Sequence, residues 1–161
     1  MKKNMLILFF FLTIGTAIGQ TNISSTITGL VYNDLYGTYY ESGNTSIGSY
    51  LNYHYYALCV FDLNQLNGTV TGVSSGVIVL SLDQNRGYNG AGWDAGFIHS
   101  DITGSSNQSK VNAIRNMSGV HKHETEDIQL SISMSSIVNN KIIVGVRRKG
   151  EIGRASCRER V

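Results

Sequence analysis

The apolar residues of this chain come in runs of strand length, and almost none of them sustains a helical period. Between residues 26 and 147 the runs are cut every few residues by Gly, Asn, Ser and Asp. That pattern leaves no room for long amphipathic helices and favours short strands joined by turns. The chain has 18 Gly and no Pro, so Gly and Asn must supply the turns. Strands are expected at 26–32, 37–41, 46–51, 53–61, 69–73, 76–82, 96–100, 127–133 and 141–147. In 127–133, Ile128, Leu130 and Ile132 alternate with Gln129 and Ser131, which buries one face and wets the other. Segments 76–82 and 141–147 are more continuously apolar, as expected of strands covered on both faces. Residues 109–117 suit a short helix with Val111, Ile114 and Met117 on one side and Ser109 as N-cap. Residues 135–139 are a second candidate helical turn. The whole predicts an all-β fold: an antiparallel, jelly-roll-like β-sandwich with one or two short helical turns.

Both ends differ from this body. Lys2 and Lys3 precede the apolar run MLILFFFL, and Ala17 and Gly19 are small residues at the −3 and −1 positions before Gln20. This is the layout of a signal peptide over residues 1–19, cleaved before Gln20, and it predicts a secreted or cell-surface protein. The run is shorter than the roughly 20 apolar residues a spanning helix needs, and no later stretch is apolar enough to insert in a membrane. At the other end, residues 151–161 read EIGRASCRERV, with three Arg, two Glu and a Cys. The string is similar to the translation of a sequencing-library adapter. That resemblance sets the tail apart as artefactual, and predicts that the natural chain continues past Gly150 and that the sandwich lacks its last strand. A natural basic tail is the alternative.

Without the two ends the balance of charge changes. Removing Lys2, Lys3, Arg154, Arg158 and Arg160 takes Lys+Arg from 13 to eight; removing Glu151 and Glu159 takes Asp+Glu from 11 to nine. A near-neutral domain over 20–150 gives no argument for nucleic acid or an anionic membrane surface as partner. Arg147-Arg148-Lys149 is its one basic cluster and is expected to be a solvated strand end. Cys59 becomes its only thiol, and within the run Ala57-Leu58-Cys59-Val60-Phe61 it is expected to be a buried small hydrophobe.

The segment Tyr56 to Val73 carries a family resemblance. Phe61-Asp62-Leu63-Asn64, Gly68-Thr69-Val70-Thr71 and Val77-Ile78-Val79-Leu80-Ser81-Leu82 resemble, in that order, elements of secreted bacterial jelly-roll modules of the DNRLRE and disaggregatase-related carbohydrate-binding type. Leu66-Asn67 stands where those modules have a Pro. The resemblance implies a fold and an extracellular setting; it implies no ligand and no catalytic residue. Within the motif, Asp62 is expected to fix a turn by bonding local backbone.

Three groups could carry chemistry. Trp93 and Tyr88 are candidates to stack on sugar rings, as flat amphipathic side chains in a Gly-rich stretch; half-buried packing is the alternative. Asp83, Asn85, Asn89 and Asp94 could surround a calcium ion, although Tyr88 stands where an EF-hand needs Gly. His121 and His123 would share a face of a strand and suit zinc or copper, against the alternative of a solvated polar loop. No P-loop or His-Glu-x-x-His motif is present, and no enzyme activity is expected. The sequence thus points to a non-catalytic extracellular binding or adhesion module of a bacterial protein, with a glycan or a surface protein as partner. An accessory domain of a larger secreted hydrolase and a structural spacer are the alternatives.

Overall fold

A computed structural model of the chain describes residues 23–33, 35, 37, 39–42, 46–50, 52–66, 70–73, 75–83, 92–123, 126–148 and 153–156. The described strands are β1 (Ser25–Asn33), β2 (Tyr39–Ser42), β3 (Ser46–Tyr50), β4 (Tyr53–Asp62), β5 (Val77–Asp83), β6 (Trp93–Phe97), β7 (Val120–Lys122), β8 (Ile128–Ser131), β9 (Ile137–Val138), β10 (Lys141–Arg148) and β11 (Gly153–Ser156). Among the described residues one α-helix, α1 (Asn107–Asn116), lies between β6 and β7. Every strand pairing is antiparallel. The larger sheet runs β2-β1-β4-β10-β6-β7, with the short β9 also on β10. The smaller runs β3-β11-β5-β8. β3 belongs to both, pairing with β4 through Gly48 to Tyr50 and with β11 through Ser46 and Ile47. The all-β antiparallel sandwich expected from the sequence is the observed architecture.

The alternation of each strand decides what it buries. In β4, Ala57, Cys59 and Phe61 face the smaller sheet, where they meet Ile78 and Leu80 of β5 and Ile128 and Leu130 of β8. The opposite side of β4 carries Tyr56 and Leu58, which α1 covers together with Leu30 of β1 and Ile143 of β10. Both faces of the larger sheet are therefore dry at this point, which explains the unbroken apolar runs in β4 and β10. β8 shows the expected one-faced alternation, with Ile128 and Leu130 buried and Gln129 and Ser131 exposed. β5 departs from expectation: Ile78 and Leu80 are buried, but Val77 is 36% exposed. Cys59 is buried in the core.

The turns follow local chemistry. After β4, Asp62 Oδ1 accepts from the Asn64 N–H at 3.0 Å and starts the 3-10 turn Leu63–Gln65, the role expected of it. β9 and β10 form a hairpin closed by Asn139 and Asn140, at φ 49° and 58°. Two successive left-handed residues match the twist of a type I′ hairpin, and Asn tolerates that conformation.

Several boundaries differ from the sequence reading. Residues 70–73, expected in a strand, are irregular, with Val70 packed against the core. The strand expected at 96–100 lies earlier, as β6. The helix begins at Asn107 rather than after Ser109; its cap is Ser106, whose Oγ accepts from the Ser109 N–H at 3.3 Å. The helical turn expected at 135–139 is a 3-10 turn, Met134–Ser136, that gives way at once to β9. β11 lies inside the tail that the sequence sets apart, and it pairs through backbone groups that any non-proline residue offers.

Gly145 sits beneath the helix. A Cβ there would lie 2.8 Å from Met117 Sδ, 3.1 Å from Ile114 Cγ1 and 3.2 Å from Ile98 Cδ1. Gly145→Val should therefore cost about 2 kcal/mol by overpacking, read as a lower urea midpoint. A midpoint equal to that of the parent would show that α1 does not rest on this strand.

Candidate functional site

Helix α1 divides the outer face of the larger sheet. Val111 and Ile114 pack onto the sheet with Met117, the residue that ends the helix. From the sheet, Arg147 reaches up to the last turn, donating through an Nη to the Ile114 and Arg115 carbonyls. A cation placed there satisfies carbonyls that a helix end leaves open and complements its partial negative charge.

Arg147 is one of three cross-strand neighbours. Asp94 of β6 lies opposite both Arg147 of β10 and His121 of β7, so all three point outward at one level of the sheet. Arg147 Nε donates to Asp94 Oδ2 at 3.0 Å, and His121 Nδ1 lies 2.6 Å from Asp94 Oδ1. Burial alone would raise the Asp94 carboxyl; the hydrogen bonds from His121 and Arg147 and the charge of Arg147 outweigh it and hold the group below its ordinary value of 3.8. The row links the sheet edge to the end of α1.

A cleft lies on each flank of the helix. The first, of about 360 Å³, opens between α1 and the end of β6. Phe97, Ile98, Ala113 and Met117 give it an apolar lining; His99, Ser100, Asn116 and Ser118 add polar groups. His99 Nδ1 is 2.8 Å from the Ser135 carbonyl oxygen. A carbonyl only accepts, so Nδ1 carries the proton and Nε2 of the neutral ring is left as an acceptor. Among the described residues the lining holds no Asp, Glu, Lys or Arg. The second cleft, of about 280 Å³, has Leu58 and Val60 among its lining residues and Lys110, Lys141 and Asp62 as its charges. There the Lys141 ammonium is taken up by Asp101 at 3.1 Å and by Thr103 at 3.0 Å. Hydrogen bonds from Thr103, Lys141 and Asn139 hold the Asp101 carboxyl far below the ordinary carboxylate range. The first cleft is therefore the better candidate: it reaches the size of typical ligand sites and pairs apolar area with uncharged polar groups.

The sequence-predicted residues fall elsewhere. Trp93 is no loop platform. It opens β6, is 1% exposed within the core, and donates its indole N–H to the Glu126 carbonyl at 3.3 Å, so no sugar ring can stack on it. Asp94 does not stand among calcium ligands: both its oxygens serve Arg147 and His121, and the guanidinium already supplies a cation there. Asp83 ends β5, with its side chain outside the described residues, as are Tyr88, Asn85 and Asn89. Arg147 and Arg148 are not a solvated end either; the first bridges Asp94 and the helix, and the second is buried. The first cleft escaped notice because its lining comes from 97–100 and 113–118, brought together only by the packing of α1. No family model, curated protein or solved structure matches the chain.

Proposed function

We propose that the chain is a non-catalytic extracellular binding module of a bacterial protein, and that it takes neutral sugar residues of a glycan in the cleft between α1 and the end of β6. The cleft carries this reading. Its apolar lining suits the less polar face of a sugar, while an imidazole acceptor, an amide and two hydroxyls suit its hydroxyl groups. The signal-peptide pattern over residues 1–19 supports an extracellular setting. Among the described residues its lining is uncharged, which suits a neutral ligand.

The purified chain should retain at least one neutral glycan on an array. His99→Ala and Asn116→Ala should each weaken that interaction about tenfold, the equivalent of about 1.4 kcal/mol for a lost polar contact. Asn116 is exposed, so its variant should change stability by less than about 0.5 kcal/mol, while His99→Ala also gives up the bond to the Ser135 carbonyl and should cost about 1 kcal/mol. An array on which only acidic glycans or none are retained would sink the proposal, as would full affinity in both variants.

A further inference from the structure

We infer that His121 and His123 form a surface site for a divalent transition ion of the kind imidazole favours, such as zinc or copper. His121 lies in the edge strand β7 and His123 directly follows it; both are exposed. Residues two apart on a strand share a face. Their rings stand 6.3 Å apart between centroids at 71°, and rotation of the exposed His123 ring can bring a nitrogen of each to one ion at about 2.0–2.1 Å. Lys122 between them faces the other way and pairs with Glu126 at 3.1 Å, so its ammonium is taken up elsewhere.

The second observation is the carboxylate behind His121. Asp94 Oδ1 lies 2.6 Å from His121 Nδ1 and can only accept, so Nδ1 carries a proton and the neutral ring keeps its lone pair on Nε2. A ligating histidine held by a carboxylate through its other nitrogen is the recurring arrangement at metal centres, because it fixes the ring and raises its basicity. Asp94 is itself anchored by Arg147 on its other oxygen, so the ring is oriented from the sheet. The ring also rests against Gly92, where a Cβ would lie 2.5 Å from His121 Nε2 and Cε1, so glycine is what lets the imidazole take this position. His121 remains 57% exposed at its side chain. Among the described residues no group of three or more His, Cys, Asp or Glu could hold an ion together. Two imidazoles with water completing the coordination make an exchangeable site rather than a structural zinc centre.

The chain has four histidines, which makes the test direct. Zinc chloride is titrated into the purified chain while the imidazole resonances are followed by NMR. The expected result is a saturable shift of His121 and His123 at one equivalent, with those of His54 and His99 unmoved. His121→Ala and His123→Ala should each weaken zinc binding at least tenfold. His123 is exposed and lies outside β7, so its variant keeps the fold even if the other loses β7. No shift up to millimolar zinc, equal shifts at all four histidines, or unchanged affinity in the His123 variant would each overturn the inference. The outcome is independent of the sugar cleft, which uses neither residue.

Discussion

Trp93→Ala is expected to destabilise the fold by about 4 kcal/mol, the range for removing a large aromatic from a packed core. The indole lies with Ala95 and Val146 of its own sheet and Ile128 of the opposing one in a single apolar cluster, so its removal leaves a void that neighbours on two sheets cannot both fill. The Glu126 carbonyl loses its indole donor as well. Urea unfolding gives the number directly. A surface platform would behave in the opposite way, losing ligand and keeping stability, so the variant separates the two roles. A loss under 1 kcal/mol would contradict the burial seen here.

Asp94→Ala should cost about 2 kcal/mol. Breaking a fully buried pair costs roughly 3–5 kcal/mol, and this one is discounted because Arg147 and Asp94 keep 23% and 12% of their side-chain exposure. The loss falls on Arg147, left without its carboxylate, and through it on the end of α1. Its pH dependence has a definite sign. The folded carboxyl is held below its ordinary value of 3.8, so the unfolded chain takes up the proton first. The contribution is complete above that value and disappears as pH falls through the lower folded one. The stability difference between parent and variant, measured by urea unfolding at descending pH, should therefore be flat at neutral pH and close below about 3.8. A difference that grew on acidification would refute the assignment.

How much of this was legible follows from where each signal is stored. Strand periodicity is local, so β1, β3, β4, β5, β8 and β10 could be read within a residue or two of their observed ends. The Asp62 turn was legible because its bonds reach only two residues. β6 was legible only from Gly96 on, as a strand at 96–100, even though Trp93, Ala95 and Phe97 alternate with Asp94 and Gly96. The Gly90-Ala91-Gly92 stretch just before it has loop composition, and that outweighed the alternation. The roles of Asp94 and Arg147 depend on a register that joins residues 53 apart, which no window of sequence contains. The candidate cleft has the same origin: nothing marks His99 and Asn116 as neighbours until α1 is laid across the sheet.

The order of strands in the larger sheet has a kinetic meaning. β1 and β4 pair along nine successive residues, and β2 folds back onto β1, so this half can form from residues 25–62 alone. β6 and β7 can join it only through β10, whose Lys141 meets Asp62 across a separation of 79 residues. A chain emerging N-terminus first must therefore hold its second half unassembled until β10 is available. Long-range closure of this kind is slow, because the entropy of a large loop is spent before the contacts reward it. β10 acts as a latch, and until it closes, the apolar face destined for α1 remains open to other chains.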